Sequence, residues 1–398
     1  METNLRVALK MIHRLGYLRG AAAKIGQMLG SLPEILPEQV VQTLDRLHCE
    51  APPMHFSLLR AMVRNELGHD PEDLFESFEK EAFAAASIGQ VHRAQLKSGE
   101  RVVIKIQYPA IAKTIDSDLR SIRALLFPAR LGKDWDYTKA HFDEIHRMLR
   151  MEVDYEQEAA NLRRAQELFA PQDGTVVPRI FDEYSTARVL TMEHLPGLHL
   201  RAFLATRPSQ QERNEFGTKI YTAWARLHNA GMNYADPHSG NYLFMNDGRL
   251  GLIDFGCVQH YSKEEGEILR HAERLMEEPE LLPSFLRRCG VPSTQLRNAE
   301  FMALMQENCA WAYEPLLTSP FNFADETHFK RGVEIVSRIV RKRYTRNHPM
   351  WLYFNRSLFG VRALMYQLHA QVDVAAIFDQ EGKARVASAS DSRSEQAR

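Results

Sequence analysis

Cysteine is scarce in this sequence, with four residues among 398, and no two of them form a CxxC pair. Widely spaced cysteines argue against a zinc site and against a disulfide framework, and they favour a reducing compartment. The sixteen histidines show no HExxH spacing either. A site built from histidine and cysteine ligands is therefore not expected.

Long apolar runs are also lacking. A membrane-spanning helix needs about 18 or more consecutive apolar residues. The most apolar late segment, WLYFNRSLFGVRALMYQLHAQVDVAAIF, is interrupted by Arg356, Arg362 and His369. The N-terminus has no apolar signal-peptide core. The sequence therefore predicts no transmembrane segment and a cytoplasmic location, with peripheral membrane contact left open.

An excess of either charge is missing too, because 50 Lys and Arg face 51 Asp and Glu, for a formal net charge of −1. This balance gives no global electrostatic argument for nucleic acid or an anionic membrane as partner. The remaining composition, 44% apolar and 25% charged, is that of a globular protein. At this length, two lobes or two to three domains are expected.

The pattern of apolar residues and turn signals predicts an α+β protein with four regions. These are a helical extension (1–80), a strand-rich lobe with a helical insert (81–194), a mainly helical lobe (195–380) and a disordered tail (381–398). Within the strand-rich lobe, FAAASIGQVHRAQLKSGERVVIKIQY predicts two strands joined by a turn at Ser98–Gly99.

The stretch 234–256, YADPHSGNYLFMNDGRLGLIDFG, holds two aspartates and an asparagine close together. Asn241 follows Asp236 by five residues, and Asp254 follows it by eighteen, after a predicted hairpin that turns at 246–248. Mg²⁺ prefers such oxygen ligands and usually bridges them to phosphates. Each residue alone is typical of a turn, but the order Asp, Asn and Asp-Phe-Gly is that of the kinase catalytic loop and metal-binding aspartate.

A kinase also needs a lysine on a first-lobe strand and a glutamate to pair with it. Lys105 ends VVIK, on a run whose alternate residues face the other way, and Glu158 lies on a predicted helix in VDYEQEAANL. Seen alone, a strand lysine is usually exposed, and EAAN would be a solvent-facing helix surface. The two are candidates because they accompany the stretch 234–256.

The phosphate-covering loop of a kinase has the pattern GxGxxGxV. Here it maps onto AAASIGQV, with alanine in place of two of the three glycines. Alanine disfavours positive φ, so a stiffer loop is expected. The candidate nucleotide-binding residues of this segment are Ala84, Ala85, Ala86, Ser87, Gly89 and Val91.

These residues together resemble the UbiB/AarF (ABC1/ADCK-type) family of atypical kinases, which is associated with coenzyme Q biosynthesis. The alanine-rich loop is a signature of that family, as are the KxGQ motif at Lys24 and Gln27 and the ExD motif at Glu152 and Asp154. ADPHSGN resembles the family's catalytic loop. The resemblance spans about residues 20 to 375, and five motifs follow one another in the right order.

The resemblance implies a bilobal protein-kinase-like fold, a small β-rich lobe and a helical lobe, with the N-terminal extension laid across the active site. ATP or ADP and Mg²⁺ are the implied ligands. Asn241 and Asp254 would hold the metal, Asp236 would orient the acceptor, and Lys105 with Glu158 would hold the α/β-phosphates. Further implied residues are a hinge beside adenine, at Met192, Glu193 and His194, and a regulatory set, at Lys24, Gln27, Glu152 and Asp154.

The sequence departs from the kinase pattern in two places. Tyr234 and Ala235 stand where the catalytic loop has His and Arg, so control by a phosphorylated activation loop is not expected. Ser262 and Glu265 form a capping box that starts a helix eight residues after Asp254, and no APE motif follows. Little chain is left for docking a peptide.

Three functions therefore stay open. The first is a UbiB-type kinase or ATPase acting on water, a lipid or a quinone-precursor molecule rather than on proteins. The second is a pseudokinase that binds nucleotide as a scaffold without turnover. The third is a small-molecule kinase like the aminoglycoside phosphotransferases, which share the Asp/Asn loop but have neither KxGQ nor the alanine loop. The oligomeric state cannot be read from the sequence.

Overall fold

A computed structural model of the protein describes residues 54–86, 88–109, 111, 115–116, 120, 135–342, 344 and 350–383. Contacts divide the chain into two compact units. The first unit contains the described residues up to Arg163 together with Pro178–His194, and the second contains Arg164–Val177 and the described residues from Leu195 onward. Most of the predicted extension, 1–53, lies outside the described residues, and so do 384–398 of the predicted tail.

The first unit is built on a five-stranded antiparallel sheet with the order β1-β3-β4-β6, in which β2 also pairs with β3. Its strands are β1 (Phe75–Phe78), β2 (Ala84–Ala86), β3 (Gly89–Leu96), β4 (Arg101–Gln107) and β6 (Val189–Glu193). Gly99 has a φ of +99° between β3 and β4, which confirms the predicted turn at Ser98–Gly99. The sheet also includes β1, which precedes residue 81, where the strand-rich lobe was predicted to begin.

One face of this sheet carries the apolar core of the first unit. Alternate residues of a strand point to opposite faces, and Val102, Ile104 and Ile106 of β4 are fully buried on this face. They share an apolar cluster with Leu59 and Val63 of the overlying helix α1. Within 54–86 and 135–168, the helices are α1 (Phe56–Leu67), α2 (Pro71–Leu74), α3 (Trp135–Glu152) and α4 (Tyr155–Leu168), whose last five residues belong to the second unit.

The described part of the second unit contains seven short strands. They are β5 (Thr175–Val176), β7 (Met232–Tyr234), β8 (Tyr242–Phe244), β9 (Leu250–Leu252), β10 (Val258–His260), β11 (Phe321–Asn322) and β12 (Gln371–Val372). β8 and β9 form the predicted antiparallel hairpin, with Gly248 at a φ of +80° in its turn. β10 pairs antiparallel with β7, so the chain after the hairpin returns to the strand before it.

Helices make up the rest of the second unit, as predicted. They are α5 (Leu200–Ala205), α6 (Gln210–Asn229), α7 (Lys263–Arg274), α8 (Leu282–Arg288), α9 (Ser293–Leu296), α10 (Ala299–Leu317), α11 (Glu326–Arg341), α12 (Met350–Leu368) and α13 (374–383). A large apolar cluster packs α7, α8, α10 and α11 together with the start of α12. None of the helices in the described part of the chain combines the length and the apolar character that crossing a bilayer requires.

Residues 381–383, the start of the predicted disordered tail, are helical. α13 continues to 383, and Glu381 is only 4% exposed. Its carboxylate accepts hydrogen bonds from Arg226 of α6, with Nη2 2.7 Å from Oε1. Burial of that ion pair holds the last turn of α13 on the unit, although the local sequence is polar and weakly hydrophobic.

Candidate active site

Lys105 and Glu158 form a buried ion pair in the first unit. Because Val102, Ile104 and Ile106 of β4 point into the apolar core, Lys105 points to the opposite face of the sheet. Its Nζ lies 2.9 Å from both Oε1 and Oε2 of Glu158. The two residues are 6% and 1% exposed. The structure thus joins two predicted site residues that are 53 positions apart in the sequence.

The start of α4 places Glu158 opposite the lysine. Asp154 precedes the helix, and its Oδ1 accepts a hydrogen bond from the backbone nitrogen of Gln157 at 2.9 Å, as an N-cap residue does. The ring of Tyr155 lies beneath the ammonium group, with Nζ of Lys105 5.1 Å from its centroid. Asp154, predicted to be regulatory, therefore has a local role in starting the helix that carries Glu158.

The other ExD residue, Glu152, ends α3 and is 7% exposed. The segment beside it is tied to β4, because Nε2 of Gln107 donates to the carbonyl oxygen of Val153 at 2.7 Å. Its predicted partners in the extension, Lys24 and Gln27, lie outside the described residues. The regulatory role of this set stays a prediction.

The alanine-rich loop is a tight hairpin. β2 pairs with the start of β3, with Ala84 opposite Val91, Ala85 opposite Gln90 and Ala86 opposite Gly89. Only residues 87 and 88 separate the paired strands, and the candidate Ser87 lies outside the described residues. The role of the hairpin in covering phosphates stays a prediction.

Gly89 has a packing reason to be glycine. A Cβ atom at this position would lie 2.2 Å from the carbonyl oxygen of Ile106, on the neighbouring strand β4. Real Cβ atoms do not come so close to a backbone oxygen, so only glycine fits this register without a shift of the strands. The glycine that matches the kinase loop pattern is therefore also required by the sheet.

The predicted hinge residues end β6. Met192 is 5% exposed and pairs with Val103 of β4, and the backbone nitrogen of His194 donates to the carbonyl oxygen of Arg101 at 3.0 Å. Burial lowers the pKa of His194, and nearby arginines lower it further, so the imidazole is disposed to be neutral. Glu193 accepts a hydrogen bond from the backbone nitrogen of Arg179 at 3.3 Å.

In the second unit, the loop after β7 folds around the backbone of Asp236. The carbonyl oxygen of Asp236 accepts hydrogen bonds from the backbone nitrogen of His238 and from Nδ2 of Asn241, both at 2.8 Å. Because Asn241 donates through its amide nitrogen, the position of its amide oxygen is also fixed. A fixed amide oxygen is a suitable ligand for a hard cation.

Asp254 follows β9 and is tied to the same loop by the backbone. The backbone nitrogen of Ile253 donates to the carbonyl oxygen of Asn241 at 3.1 Å. The backbone nitrogen of Ala235 donates to the carbonyl oxygen of Cys257 at 3.0 Å. Oδ1 of Asp254 accepts from the backbone nitrogen of Gly256 at 3.0 Å, which fixes the carboxylate. Asp236, Asn241 and Asp254 therefore lie on two segments of the second unit that are joined by backbone hydrogen bonds.

Tyr234 takes the place of the catalytic-loop histidine as a buried aromatic residue. It is 4% exposed, and its ring lies edge-on to Phe255 at a centroid distance of 5.2 Å. Burial raises the pKa of the Tyr234 hydroxyl well above its usual value, and the negative charges of Asp254 and Asp236 act in the same direction. The hydroxyl is therefore neutral and packs beneath the loop.

Arg356 is a site residue that the sequence did not single out. Its Nη2 lies 3.0 Å from Oδ1 of Asp236, and its Nε donates to the carbonyl oxygen of Ala235 at 3.0 Å. In the sequence it only interrupts an apolar segment. The one available signal is that a charge within a buried helix needs a partner, but nothing in the spacing names Asp236 as that partner.

Comparisons with known proteins identify the family of the chain. Residues 46–276 match the model of the ABC1 atypical kinase-like domain. The chain is 36% identical over 258 residues to Protein ACTIVITY OF BC1 COMPLEX KINASE 8, chloroplastic, of Arabidopsis thaliana, covering 63% of this chain and 34% of that protein. It is 28% identical over 387 residues to Atypical kinase coq-8, mitochondrial, of Caenorhabditis elegans, covering 93% of this chain and 50% of that protein.

A solved structure also matches, the complex of Rv3197 with erythromycin from Mycobacterium tuberculosis. The TM-score is 0.61 with 26% sequence identity, and the match covers 94% of this chain and 95% of that one. The predicted α+β, kinase-like fold is thereby confirmed. The chain spans half or less of the two named relatives. Because the family model covers more than half of the chain, the resemblance is confirmed, and the protein belongs to the ABC1/UbiB family of atypical kinases.

Proposed function

We propose that this protein is an Mg²⁺-dependent ATPase or kinase that transfers the γ-phosphoryl group of ATP to water or to a small or lipid-like acceptor. Membership of a kinase-like family implies nucleotide binding. The observation that carries the proposal is the buried pair in which Nζ of Lys105 lies 2.9 Å from both carboxylate oxygens of Glu158. A strand lysine held by a helix glutamate is the arrangement with which kinases bind the α/β-phosphates.

The ion pair has a clear electrostatic purpose. A buried ammonium group is stable in its charged form only with a partner, and Glu158 supplies that partner while fixing the direction of Lys105. We assign to Lys105 the binding of the α/β-phosphates and to Glu158 its orientation. The proposed nucleotide cover is the hairpin at 84–91, and the proposed adenine contacts are Met192, Glu193 and His194.

Asn241 and Asp254 are the proposed magnesium ligands. Within the described residues, no three His, Cys, Asp or Glu side chains are grouped as a protein-only metal site would require. Mg²⁺ fits this arrangement, because it usually takes one or two carboxylates and completes its coordination with waters and substrate phosphates. When bound, the ion would neutralise charge on the phosphates. Asp236 would orient the attacking hydroxyl or water.

The acceptor is proposed to be small because the chain offers little room for a peptide. Only eight residues, Phe255–Ser262, lie between Asp254 and α7, and they include all of β10. α7 follows at once, with Ser262 as its N-cap in a capping box with Glu265. We propose that the acceptor is a lipid or a quinone precursor, in line with the association of the family with coenzyme Q, and that the protein acts in the cytoplasm or at a membrane surface.

The proposal is tested by magnesium-dependent phosphate release from ATP and by thermal shift with Mg-ATP. The wild-type protein is compared with Asp254→Asn and with a matched control, Asp247→Asn. Asp247 lies in the exposed turn of the same hairpin, where it pairs with Arg249. We expect Asp254→Asn to lose magnesium-dependent nucleotide binding and turnover, and Asp247→Asn to keep both.

Other outcomes favour the other functions. Magnesium-independent nucleotide binding without phosphate release in the wild-type protein would favour the scaffold. Stoichiometric phosphorylation of a soluble small molecule would favour the phosphotransferase-like alternative. Unchanged binding in Asp254→Asn would refute the assignment of that ligand. Quinone profiles of a deletion strain test the metabolic part of the proposal separately.

A further inference from the structure

The first contact between helix α12 and the loop that carries Asp236 is made by Arg356. Nε of Arg356 donates to the carbonyl oxygen of Ala235, and Nη2 donates to Oδ1 of Asp236, both at 3.0 Å. The guanidinium group is planar, and its donors have a fixed geometry. One side chain therefore fixes the backbone of one loop residue and the carboxylate of the next, across 120 positions of sequence.

The next residue of the helix holds the loop one position earlier. The hydroxyl of Ser357 donates to the carbonyl oxygen of Tyr234 at 2.7 Å and accepts from Nε1 of Trp224 at 2.8 Å. Ser357 is fully buried, and Trp224 is 6% exposed. Water cannot replace these bonds at so buried a site, so losing one leaves an unpaired polar group.

A third contact is steric. A Cβ atom on Gly360 would lie 2.3 Å from Cγ of Pro237, so the backbone of α12 packs directly against that proline. Residues 356, 357 and 360 thus contact four successive loop residues, 234 to 237.

We propose that Arg356 is a positioning residue for phosphoryl transfer, and that α12, through Arg356, Ser357 and Gly360, holds the catalytic loop in the conformation that aims the Asp236 carboxylate. The inference rests on the function proposed above for Asp236. Ala235 stands where the kinase catalytic loop has an arginine. Arg356 brings a guanidinium group to the backbone of Ala235 from a distant helix.

Arg362 provides a matched control on the same helix. It is 4% exposed, and its Nη1 and Nη2 donate to the carbonyl oxygens of Trp311 and Ala312 in α10, at 3.1 and 2.6 Å. Replacing Arg356 or Arg362 by lysine keeps one positive charge on α12 in each case. An ammonium group cannot reproduce the two directed bonds of guanidinium. Arg362→Lys disturbs the contact of α12 with α10, whereas Arg356→Lys and Arg356→Ala disturb its contact with the catalytic loop. Comparing them therefore distinguishes a general effect on the helix from an effect on the loop.

The first measurement needs no activity. Hydrogen exchange of the backbone amides of 235–241 is followed in the nucleotide-free, full-length protein. We expect Arg356→Ala to accelerate exchange of the His238 and Asn241 amides about tenfold, as weakening a charged hydrogen bond would. Arg362→Lys should leave these amides at the wild-type rate. Wild-type exchange in Arg356→Ala would overturn the proposal, whether or not the protein turns over ATP.

The second measurement is steady-state ATP turnover. Arg356→Ala should lower kcat about 100-fold, the effect expected of a small misplacement of a reacting group. KM for ATP should rise much less than kcat falls, because the bond from Arg356 holds the Asp236 carboxylate directly and reaches the proposed magnesium ligand Asn241 only through the loop. Arg356→Lys should recover part of kcat, and millimolar guanidinium chloride should raise kcat of Arg356→Ala but not of Arg362→Lys.

Two results would contradict the positioning role while leaving the proposed function intact. One is an unchanged kcat in Arg356→Ala when ATP turnover by the wild-type protein is shown to require Asp254. The other is an equal fall of kcat in Arg362→Lys, which would make the effect structural. A wild-type protein without Asp254-dependent turnover would instead refute the proposed function and the catalytic part of this proposal, while the exchange rates would still decide whether α12 supports the loop.

Discussion

The two sets of candidate residues are held by different kinds of structure. In the first unit, Lys105 and Glu158 lie on a regular strand and a regular helix, and their side chains are 8% and 0% exposed. In the second unit, Asp236 lies in an irregular loop, and it and its partner Arg356 have side chains that are 19% and 23% exposed. One set is a single buried ion pair, and the other is a network of backbone and side-chain hydrogen bonds.

This difference predicts that substitutions in the two sets affect stability and turnover to different degrees. Removing one member of a buried ion pair deprives the other charge of that partner, so stability should depend on Lys105 more than on any single loop residue. A partly exposed carboxylate can be neutralised with little loss of stability, but its direction matters for chemistry. We therefore expect variants of the loop to lose turnover with little loss of stability, and variants of the ion pair to lose stability together with nucleotide binding.

The sharpest test of this difference is Asp236→Asn. It should lower kcat by about 10²–10⁴-fold, the range expected for a group that orients or accepts a proton from the nucleophile. Thermal shift by Mg-ATP should be retained, because Asn241 and Asp254 are unchanged. Phosphate release and ligand-induced shifts in melting temperature measure the two effects, and Asp247→Asn is the control. Equal loss of binding and turnover would show that Asp236 is not confined to chemistry.

Lys105→Met is expected to lose stability as well as nucleotide binding. Removing the ammonium group leaves Glu158 buried without it, so the free energy of unfolding should fall by about 3–5 kcal/mol. The double variant Lys105→Met/Glu158→Leu should recover much of that loss, because both charges are then gone. Urea denaturation measures these values, with Lys97→Met, an exposed lysine after β3, as control. If the single and double variants were equally stable, the pair would not be the strong interaction that its burial implies.

A smaller effect is expected in the hairpin beside the ion pair. Gly89→Ala places a methyl group 2.2 Å from the carbonyl oxygen of Ile106, the residue after Lys105, and should cost about 1–3 kcal/mol of stability. The reverse change on the facing strand, Ala86→Gly, should cost about 0.5–1 kcal/mol. Urea denaturation gives both values.

The same two variants test the nucleotide role of the hairpin. We expect Ala86→Gly to alter affinity for ATP relative to ADP, since it loosens the proposed phosphate cover. Isothermal titration with both nucleotides measures that ratio. A Gly89→Ala variant as stable as wild type would show that the sheet accommodates the methyl group, and an unchanged ratio in Ala86→Gly would count against the hairpin as phosphate cover.

The features that the sequence predicted well are local or periodic. The turn at Asn246–Gly248 is encoded by three adjacent residues, and the burial of Val102, Ile104 and Ile106 follows from the alternation of a strand. The pairing of Lys105 with Glu158 is not local. It was predicted only because a kinase pattern requires such a pair, and because both residues fall in elements of the right type.

The sequence did not predict contacts between residues that are far apart in the chain and belong to no recognised motif. Arg356 meets Asp236 across 120 positions, and its neighbours only mark it as a charge in an apolar helix. The close approach of Gly89 to Ile106 depends on strand register, which composition does not encode. Glu381 was assigned to a tail because its surroundings are polar, but its partner Arg226 lies 155 positions earlier.

The smallest expected effect concerns pH and a buried histidine of the first unit. His92 of β3 is fully buried, stacks on Phe78 at 5.3 Å, and has Nδ1 2.8 Å from the carbonyl oxygen of Glu79. Its Nε2 lies 2.9 Å from Nε2 of Gln90, which fits a neutral ring donating through Nδ1. Burial lowers the pKa of His92, although the Glu79 contact acts in the opposite direction.

The sign of the effect follows from linkage. Above a pH of about 6.5, His92 is neutral in both folded and unfolded chains, and its burial carries no protonation penalty. As pH falls below that value, the unfolded chain binds a proton that the folded chain resists. Stability is therefore lost toward the lowered folded pKa, by at most about 1.4 kcal/mol per pH unit for one proton.

We expect His92→Gln to flatten the fall of melting temperature between about pH 7.5 and pH 5.5, relative to the wild-type protein. His69→Gln, at an exposed position, is the control. His194, which also has a pKa lowered first by burial, should contribute a separate part of the slope. If His92→Gln and wild type showed parallel melting curves against pH, the acid sensitivity of the first unit would come from other groups, because only a histidine that resists protonation when folded can produce a slope that its removal abolishes.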